Sequence, residues 1–206
     1  MAPKSKPTYD LEMELRNQGF RYVVGVDEVG RGCGAGNVVA ASILIPDGFD
    51  TSEIRDSKQL SRKKRKELFL KLVAECECTV HSIGPDVIDS INIRESTKLA
   101  MQFAIKEMKN ISYVLVDGNF LPDYLEVPGK AVIGGDKLSV SIAASSIIAK
   151  HTRDRQMFEA HKQWPQYGFD RHVGYLTKFH KEMISKYGPC PIHRKTFSGV
   201  REYVKE

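Results

Sequence analysis

No apolar run in this 206-residue chain approaches the roughly 20 residues that a membrane-spanning helix needs. The opening residues, MAPKSKPTYD, hold no apolar stretch that could serve as a secretory signal. Together these absences predict a cytoplasmic protein without a membrane anchor. Cysteine is scarce. Cys33, Cys76, Cys78 and Cys190 form no CxxC pair, so neither a zinc site nor a disulfide framework is indicated. Free thiols suit a reducing compartment. There is no low-complexity linker and no internal repeat. A Ser–His–Asp or Cys–His nucleophile pattern is also missing, which argues against covalent catalysis.

What is present suits one domain spanning residues 1–206. Hydrophobic residues make up 41% of the chain, enough for a core, and the 28% that are charged carry both signs. A net charge of +5 leans toward a polyanionic partner without establishing one. Its distribution says more. Arg62, Lys63, Lys64, Arg65 and Lys66 form one basic block, and a second runs from Lys150 to Arg155. Either alone is an ordinary solvated helix face. Beside a phosphate-handling site the two become a backbone track.

Residues 1–8, rich in Pro, Lys and Ser, are expected to form a loose tail. Two runs rich in β-branched residues, Tyr22 to Val29 and Val38 to Ile45, predict buried strands, and the glycine-rich stretch between them predicts an antiparallel pair. Ser61 is placed to cap a helix from Arg62 to Glu75. Thr79–Ile83, Ser112–Val116 and Lys130–Ile133 complete the expected strands. Further helices are expected over Arg94–Lys109, with Leu99, Phe103, Ala104 and Met108 on its apolar face, and over Ser139 to about His161. A last one spans Leu176–Tyr187, with Leu176, Phe179, Met183 and Ile184 inward. The C-terminal helical part, from about residue 160, is expected to pack on the rest. This order predicts an α/β fold: a central mixed β-sheet flanked by helices on both faces.

Three apolar segments end in acids. Val23–Val26 leads into Asp27 and Glu28, Tyr113–Val116 into Asp117, and Ala131–Ile133 through two glycines into Asp136. Ligands of α/β sheets bind where strands leave the core. Crowded carboxylates repel unless a cation neutralises them, and their hard oxygens suit Mg²⁺ or Mn²⁺. A pair of such ions can clamp both oxygens of a phosphodiester undergoing displacement. Each acid also has a plainer reading: Asp117–Gly118 is a common turn, and Asp136 could cap the helix near Ser139. Asp27 beside an apolar strand is harder to explain without a partner. Neighbours on a strand point to opposite faces, so Asp27 and Glu28 share a site only if the strand ends or twists there.

The unit VDEVGRG is more specific than any one acid. With AGNVVAASIL (35–44), DSKQLS (56–61), INIRESTKLAM (91–101), LVDGN (115–119), GGDKLSVSIAASSIIAKHTRD (134–154), YGFDRHVGYLTKFH (167–180) and GPCPIHRKTF (188–197), it resembles ribonuclease HII, the type 2 ribonuclease H family, over nearly the whole chain. The resemblance implies a ribonuclease H-like fold. It also implies hydrolysis of the RNA strand of RNA–DNA hybrids and incision of duplex DNA 5′ to embedded ribonucleotides, leaving 3′-hydroxyl and 5′-phosphate ends. Asp27, Glu28, Asp117 and Asp136 would hold the metal ions. Gly30, Arg31 and Gly32 would sense the ribose 2′-OH, the group that separates RNA from DNA. Tyr175 would stack on the sugar that follows the ribonucleotide. Lys58, Ser139, Lys150 and Arg153 are the further substrate contacts it implies.

The family commonly has Pro and Leu after GRG and Pro after AG, where this chain has Cys33, Gly34 and Asn37. Gln59 and Thr196 depart similarly, and no acid is lost. The sister family, ribonuclease HIII, usually carries an extra N-terminal substrate-binding domain, for which the segment before VDEVGRG leaves no room. A hybrid-binding module without catalysis is the rival of a different class, and four intact acids weigh against it. His180 and His193 have open readings: proton carriers, an aid to product release, or ordinary polar residues near helix ends. A monomer suffices for every feature, and no clamp partner is legible.

Overall fold

β-Branched and apolar residues line both faces of the central strand, β1 (Val23–Val29), and the computed structural model, which describes residues 6–204, places it in the middle of a five-stranded sheet. β2 (Val38–Leu44) runs antiparallel to β1, and β3 (Glu77–Ile83) antiparallel to β2. On the other side β4 (Tyr113–Asp117) and β5 (Gly129–Val132) run parallel to β1, giving the order β3-β2-β1-β4-β5. The mixed sheet is the one expected.

Alternation along β1 divides the core. Val24 and Val26 pack with Ala100, Met101 and Ala104 of α3 (Pro85–Lys106). On the opposite face Val23 packs with Ile142 of α4 (Val140–Gln163), and α2 (Arg62–Glu75) adds Leu68 and Leu72 to that side. Ser61 caps α2 as its sequence position predicts, accepting Lys64 N–H at 3.2 Å, and Ser139, not Asp136, caps α4, accepting Ile142 N–H at 3.1 Å.

α4 lies so close to β1 that a Cβ on Gly25 would come within 2.2 Å of the Ser141 carbonyl carbon and 2.5 Å of Ile142 N. These are backbone atoms and cannot swing away. Gly25→Ala is therefore expected to cost about 1–3 kcal/mol by forcing helix and sheet apart. Urea unfolding tests this, and an unchanged midpoint would mean the helix shifts freely.

Several expectations need correction. Residues 1–5 lie outside the described residues, but Thr8 is not loose: its N–H donates to Leu138 O and its carbonyl accepts Val140 N–H, each at 3.0 Å. A helix that the sequence did not predict, α1 (Asp10–Asn17), follows it. Buried Glu12 fastens α1 to the start of α4, accepting Ser139 Oγ at 2.5 Å, Ser141 Oγ at 2.6 Å and Ser141 N at 3.0 Å. The helix expected from Arg94 to Lys109 is the second half of α3, which ends at Lys106. Asn92 breaks α3 with φ +69°, and its Oδ1 caps the new start by accepting Arg94 and Glu95 N–H. Phe103, expected inward, is half-exposed, and Thr97, Ala100, Met101 and Ile105 take the buried face. α6 (Lys178–Tyr187) begins two residues later than expected, with Thr177 as its cap. Phe179 is half-exposed, while His180 takes its place inside. No helix among the described residues is long and apolar enough to cross a membrane.

Candidate active site

β1 and β4 pair in parallel up to Val26↔Val116, and the next residues on the two strands are Asp27 and Asp117. β4 ends there and β1 continues to Val29. This differs from the expectation that β1 itself would end or twist at the acidic pair. The gap opens because the neighbouring strand stops, which leaves one edge of β1 uncovered beside Glu28. β5 pairs with β4 through Asp117↔Val132, and the single helical turn Gly135–Lys137 then brings in Asp136. Gly134 makes that turn in the left-handed region, at φ +66°, where side chains other than glycine are strained.

Asp27, Glu28 and Asp117 are each shifted by burial and by the carboxylates around them, Asp136 included among the sources. Burial is the main influence raising the Asp27 pKa well above its ordinary value, followed by the charges of Glu28 and Asp117, with Asp136 contributing less. Asp117 is raised by burial and then by Asp136. Glu28 is raised by burial, which outweighs the lowering effect of Arg31. Asp27 Oδ1 accepts Glu28 N–H at 2.6 Å and Asp117 Oδ1 accepts Gly135 N–H at 2.7 Å, which fixes both rotamers. Two cations stand at the rim. Arg31 Nη1 is 3.3 Å from Glu28 Oε1, and Lys58 Nζ is 3.7 Å from Asp136 Oδ2. Burial works against the Lys58 charge, but Asp136, Asp56 and Asp27 outweigh it and raise its pKa.

In kind and in charge the donors fit a hard divalent cation. They are not preset at ligand spacing: among the described residues no three His, Cys, Asp or Glu side chains are gathered so as to hold a metal. The acids would have to close on an ion, with Arg31 and Lys58 free to turn from carboxylate to phosphate.

The glycine loop that follows β1 forms one wall. Gly30, at φ +97°, passes so close to Arg153 that a Cβ would lie 2.2 Å from its Nε. Arg31 and Gly32 are exposed. Across from them Gly34 N–H donates to Gly174 O at 3.0 Å, which ties this loop to the segment carrying Tyr175. Tyr175 is 48% exposed.

The family model described as "Ribonuclease HII" matches residues 24–200, which include all of these elements. The chain belongs to the ribonuclease HII family. It is 45% identical over 197 residues to the ribonuclease HII of Rhizobium leguminosarum bv. trifolii, covering 95% of this chain and 86% of that protein. To the ribonuclease HII of Chlamydia muridarum it is 46% identical over 199 residues, covering 95% and 91%. The crystal structure of ribonuclease H2 from Pyrococcus horikoshii superposes with a TM-score of 0.75 at 26% identity, over 88% of this chain and 96% of that one. The ribonuclease H fold and the assignment to a nuclease family follow.

Two of the contacts carried over from ribonuclease HII are not available to a substrate. Ser139 is fully buried and its hydroxyl is committed to Ile142 N–H and Glu12. Arg153 is also fully buried, and its three nitrogens donate to the carbonyls of Asn37 at 2.9 Å, Val173 at 2.8 Å and Ala35 at 3.0 Å. A guanidinium holding three backbone carbonyls organises loops. Lys150 is paired with Asp154 on its own helix at 2.8 Å, and Arg65 meets the same carboxylate at 3.0 Å. Sequence reasoning missed Arg194, another fully buried guanidinium, although its motif, GPCPIHRKTF, was among the matching stretches.

His180 and His193 are buried with His172: the His172 and His180 rings stack, and His193 Nε2 lies 3.0 Å from His180 Nε2. All four cysteines are free thiols.

Proposed function

We propose that this chain is a single-domain endoribonuclease that hydrolyses the RNA strand of RNA–DNA hybrids and incises duplex DNA on the 5′ side of an embedded ribonucleotide. What supports this most directly is the placement of Asp27, Glu28 and Asp117 where the β1/β4 pairing ends, with the turn that carries Asp136 beside them and a glycine loop and two cations on the rim. Asp27, Glu28 and Asp117 are all raised by burial and by neighbouring carboxylates, and such crowding calls for positive charge. Bound between them, a pair of Mg²⁺ or Mn²⁺ ions would polarise the scissile phosphate, favour ionisation of the attacking water and offset charge on the departing oxygen.

In the hydrolysis a water oxygen bonds to phosphorus as the bond to the 3′ oxygen breaks. That oxygen ends protonated as a 3′-hydroxyl, and the other fragment keeps a 5′-phosphate. Asp27 and Asp117, each anchored through one oxygen by the Glu28 and Gly135 amides, would hold the ions once the site has closed on them. Lys58, with its side chain 79% exposed, is free to meet a phosphate, and Arg31 sits where it can do the same. Exposed Gly32 and its neighbours meet the ribose, and Tyr175 stacks on the following sugar. Four free thiols suit work in the reducing cytoplasm.

A fluorescent duplex with a single ribonucleotide, incubated with Mg²⁺ or with EDTA, tests the whole reading. Metal-dependent cutting 5′ to that nucleotide, with a 3′-hydroxyl product, is expected. Binding without cutting would make the chain a hybrid-binding module instead. Tyr175→Ala is expected to lower cutting at a lone ribonucleotide about tenfold more than cutting inside a long RNA tract, a loss of about 1.4 kcal/mol of selective contact with the following sugar. Equal losses would remove its junction role.

The basic blocks come together as well. Arg62, Lys63 and Lys66 of α2 and Arg155 of α4 are exposed around one groove, with the Arg62 guanidinium 4.4 Å from the Phe158 ring centre. Lys63→Glu with Lys66→Glu is expected to weaken binding of long duplexes. The slope of log affinity against log salt should flatten by about one for each phosphate no longer neutralised. An unchanged slope would leave the groove a solvated face.

A further inference from the structure

We propose that Arg194 is a positioning residue that aims the Gly32 amide at the ribose of the substrate. This rests on the reading of the glycine loop as the sensor of the 2′-hydroxyl.

The loop from Arg31 to Asn37 is held from inside by two buried guanidiniums. Arg194 Nη1 donates to Arg31 O and Nε to Gly36 O, both at 3.0 Å, and its backbone N–H donates to Gly34 O at 2.9 Å. Arg153 takes Ala35 O and Asn37 O, and with them Val173 O on the facing segment. Val173 is a β-branched residue in the left-handed region, at φ +45°, immediately before Gly174 and Tyr175. Such strain persists only where the surrounding structure enforces it. One pair of arginines therefore sets both walls of the site.

In a trans peptide the carbonyl and the next amide point in opposite directions. Holding the Arg31 carbonyl inward on Arg194 turns the Gly32 N–H outward. Gly32 is exposed, a Cβ there would meet nothing within 4 Å, and its N–H has no acceptor among the described residues. It is an aimed and unspent donor. Neither guanidinium is in an ion pair among the described residues, and the Asp89 carboxylate offsets the Arg194 charge only in part, beneath a loop that faces a polyanion. Burial and then Arg153 push the Arg194 pKa down to about 10, which leaves it charged at neutral pH. A lysine could not replace it, because only a planar fork reaches carbonyls of residues 31 and 36 together.

The experiment compares kcat/KM for a hybrid with a 2′-hydroxyl at the cleaved nucleotide and for one with 2′-fluorine, a poor acceptor. Gly32→Pro deletes the amide hydrogen and Arg194→Lys removes the fork. Each is expected to lower the hydroxyl-to-fluorine ratio about tenfold, the worth of one oriented hydrogen bond, and the double variant no further. Val200→Ala, a core cavity next to the same elements, should lower stability without moving the ratio. If Gly32→Pro leaves the ratio intact, the reading of the loop as ribose sensor fails. If Gly32→Pro collapses it and Arg194→Lys does not, the positioning role of Arg194 fails alone. Wild-type protein supplies a check that needs no variant to fold. The Arg194 guanidinium NMR signals should shift on binding the hydroxyl duplex and not the fluorine one, and identical shifts would overturn the proposal.

Discussion

Asp27→Asn is expected to cut hydrolysis about a thousandfold while raising the melting temperature and leaving substrate affinity undiminished. The rate loss follows from the charge that a divalent cation needs. Removing one of four carboxylates from such a site is worth several kcal/mol at the transition state, and about 4 kcal/mol is a thousandfold. The stability gain follows from the same crowding with the opposite sign. Asp27 is buried, and its ionised form is opposed by burial and then by Glu28 and Asp117. Asn has nearly the same shape, keeps an Oδ1 to accept the Glu28 amide, and carries no charge. Affinity holds because one fewer anion in the cleft repels phosphate less. Single-turnover cleavage, thermal melting and fluorescence anisotropy on one preparation separate the three effects. Cleavage at the wild-type rate would remove Asp27 from the chemistry. A fall in melting temperature would mean that the acids are already neutralised within the folded chain.

The ribonuclease H core was legible because its signals are local. β-Branched runs between glycines mark β1 and β2, and acids directly after apolar runs mark the strand ends. α1 was not legible. Leu11 and Leu15 are all the apolar periodicity it has, and its anchor is Glu12 meeting Ser139 and Ser141, 127 and 129 residues away. The first half of α3 hid behind Asn92, whose left-handed backbone resets the helical phase. At the site, the four acids could be found from strand ends and motif together. The means by which they share a cleft could not, since that depends on where β4 stops, not on β1. Arg153 was misplaced and Arg194 missed for a general reason. Arginine is exposed by default, so no single-sequence pattern marks a guanidinium whose partners are carbonyls of distant loops. Both motifs that contain them were visible, and only the fold shows that they point inward.

Folding stability is expected to fall by about 4 kcal/mol between pH 7 and pH 5, through the buried histidines and not through the carboxylates where β1 and β4 part. Their bonds fix each tautomer. His180 Nδ1 lies 2.9 Å from the Tyr175 carbonyl, which only accepts, so that nitrogen carries the hydrogen and Nε2 has a lone pair. Cys190 N–H donates to His193 Nδ1 at 2.9 Å, so His193 Nε2 carries the hydrogen and donates to His180 Nε2 at 3.0 Å. His172 accepts Gly174 N–H on Nδ1 and donates from Nε2 to Tyr167 O. Every ring is neutral and satisfied, and a proton added to His180 would set two donors face to face. Burial, chiefly, pushes His180 down to about 3 and His193 down to about 4, from an ordinary 6.5. A depressed pKa on a base means that the unfolded chain takes up the proton first. The array's stability is therefore complete above about pH 6.5 and drains away as the pH falls toward the folded values. At about 1.4 kcal/mol per pH unit, His180 and His193 each lose about 2 kcal/mol by pH 5. The raised carboxylates work the other way, because protonating Asp27 relieves repulsion, so the measurement is cleanest in the Asp27→Asn protein. Urea unfolding at pH 7 and pH 5, repeated with His193→Gln, should show the acid loss and then roughly its halving. A pH profile that His193→Gln leaves unchanged would place the acid sensitivity elsewhere. Because the Tyr175 carbonyl and the Gly174 amide are both held by this array, loss of ribonucleotide cutting in mild acid should come together with loosening of that wall, before global unfolding.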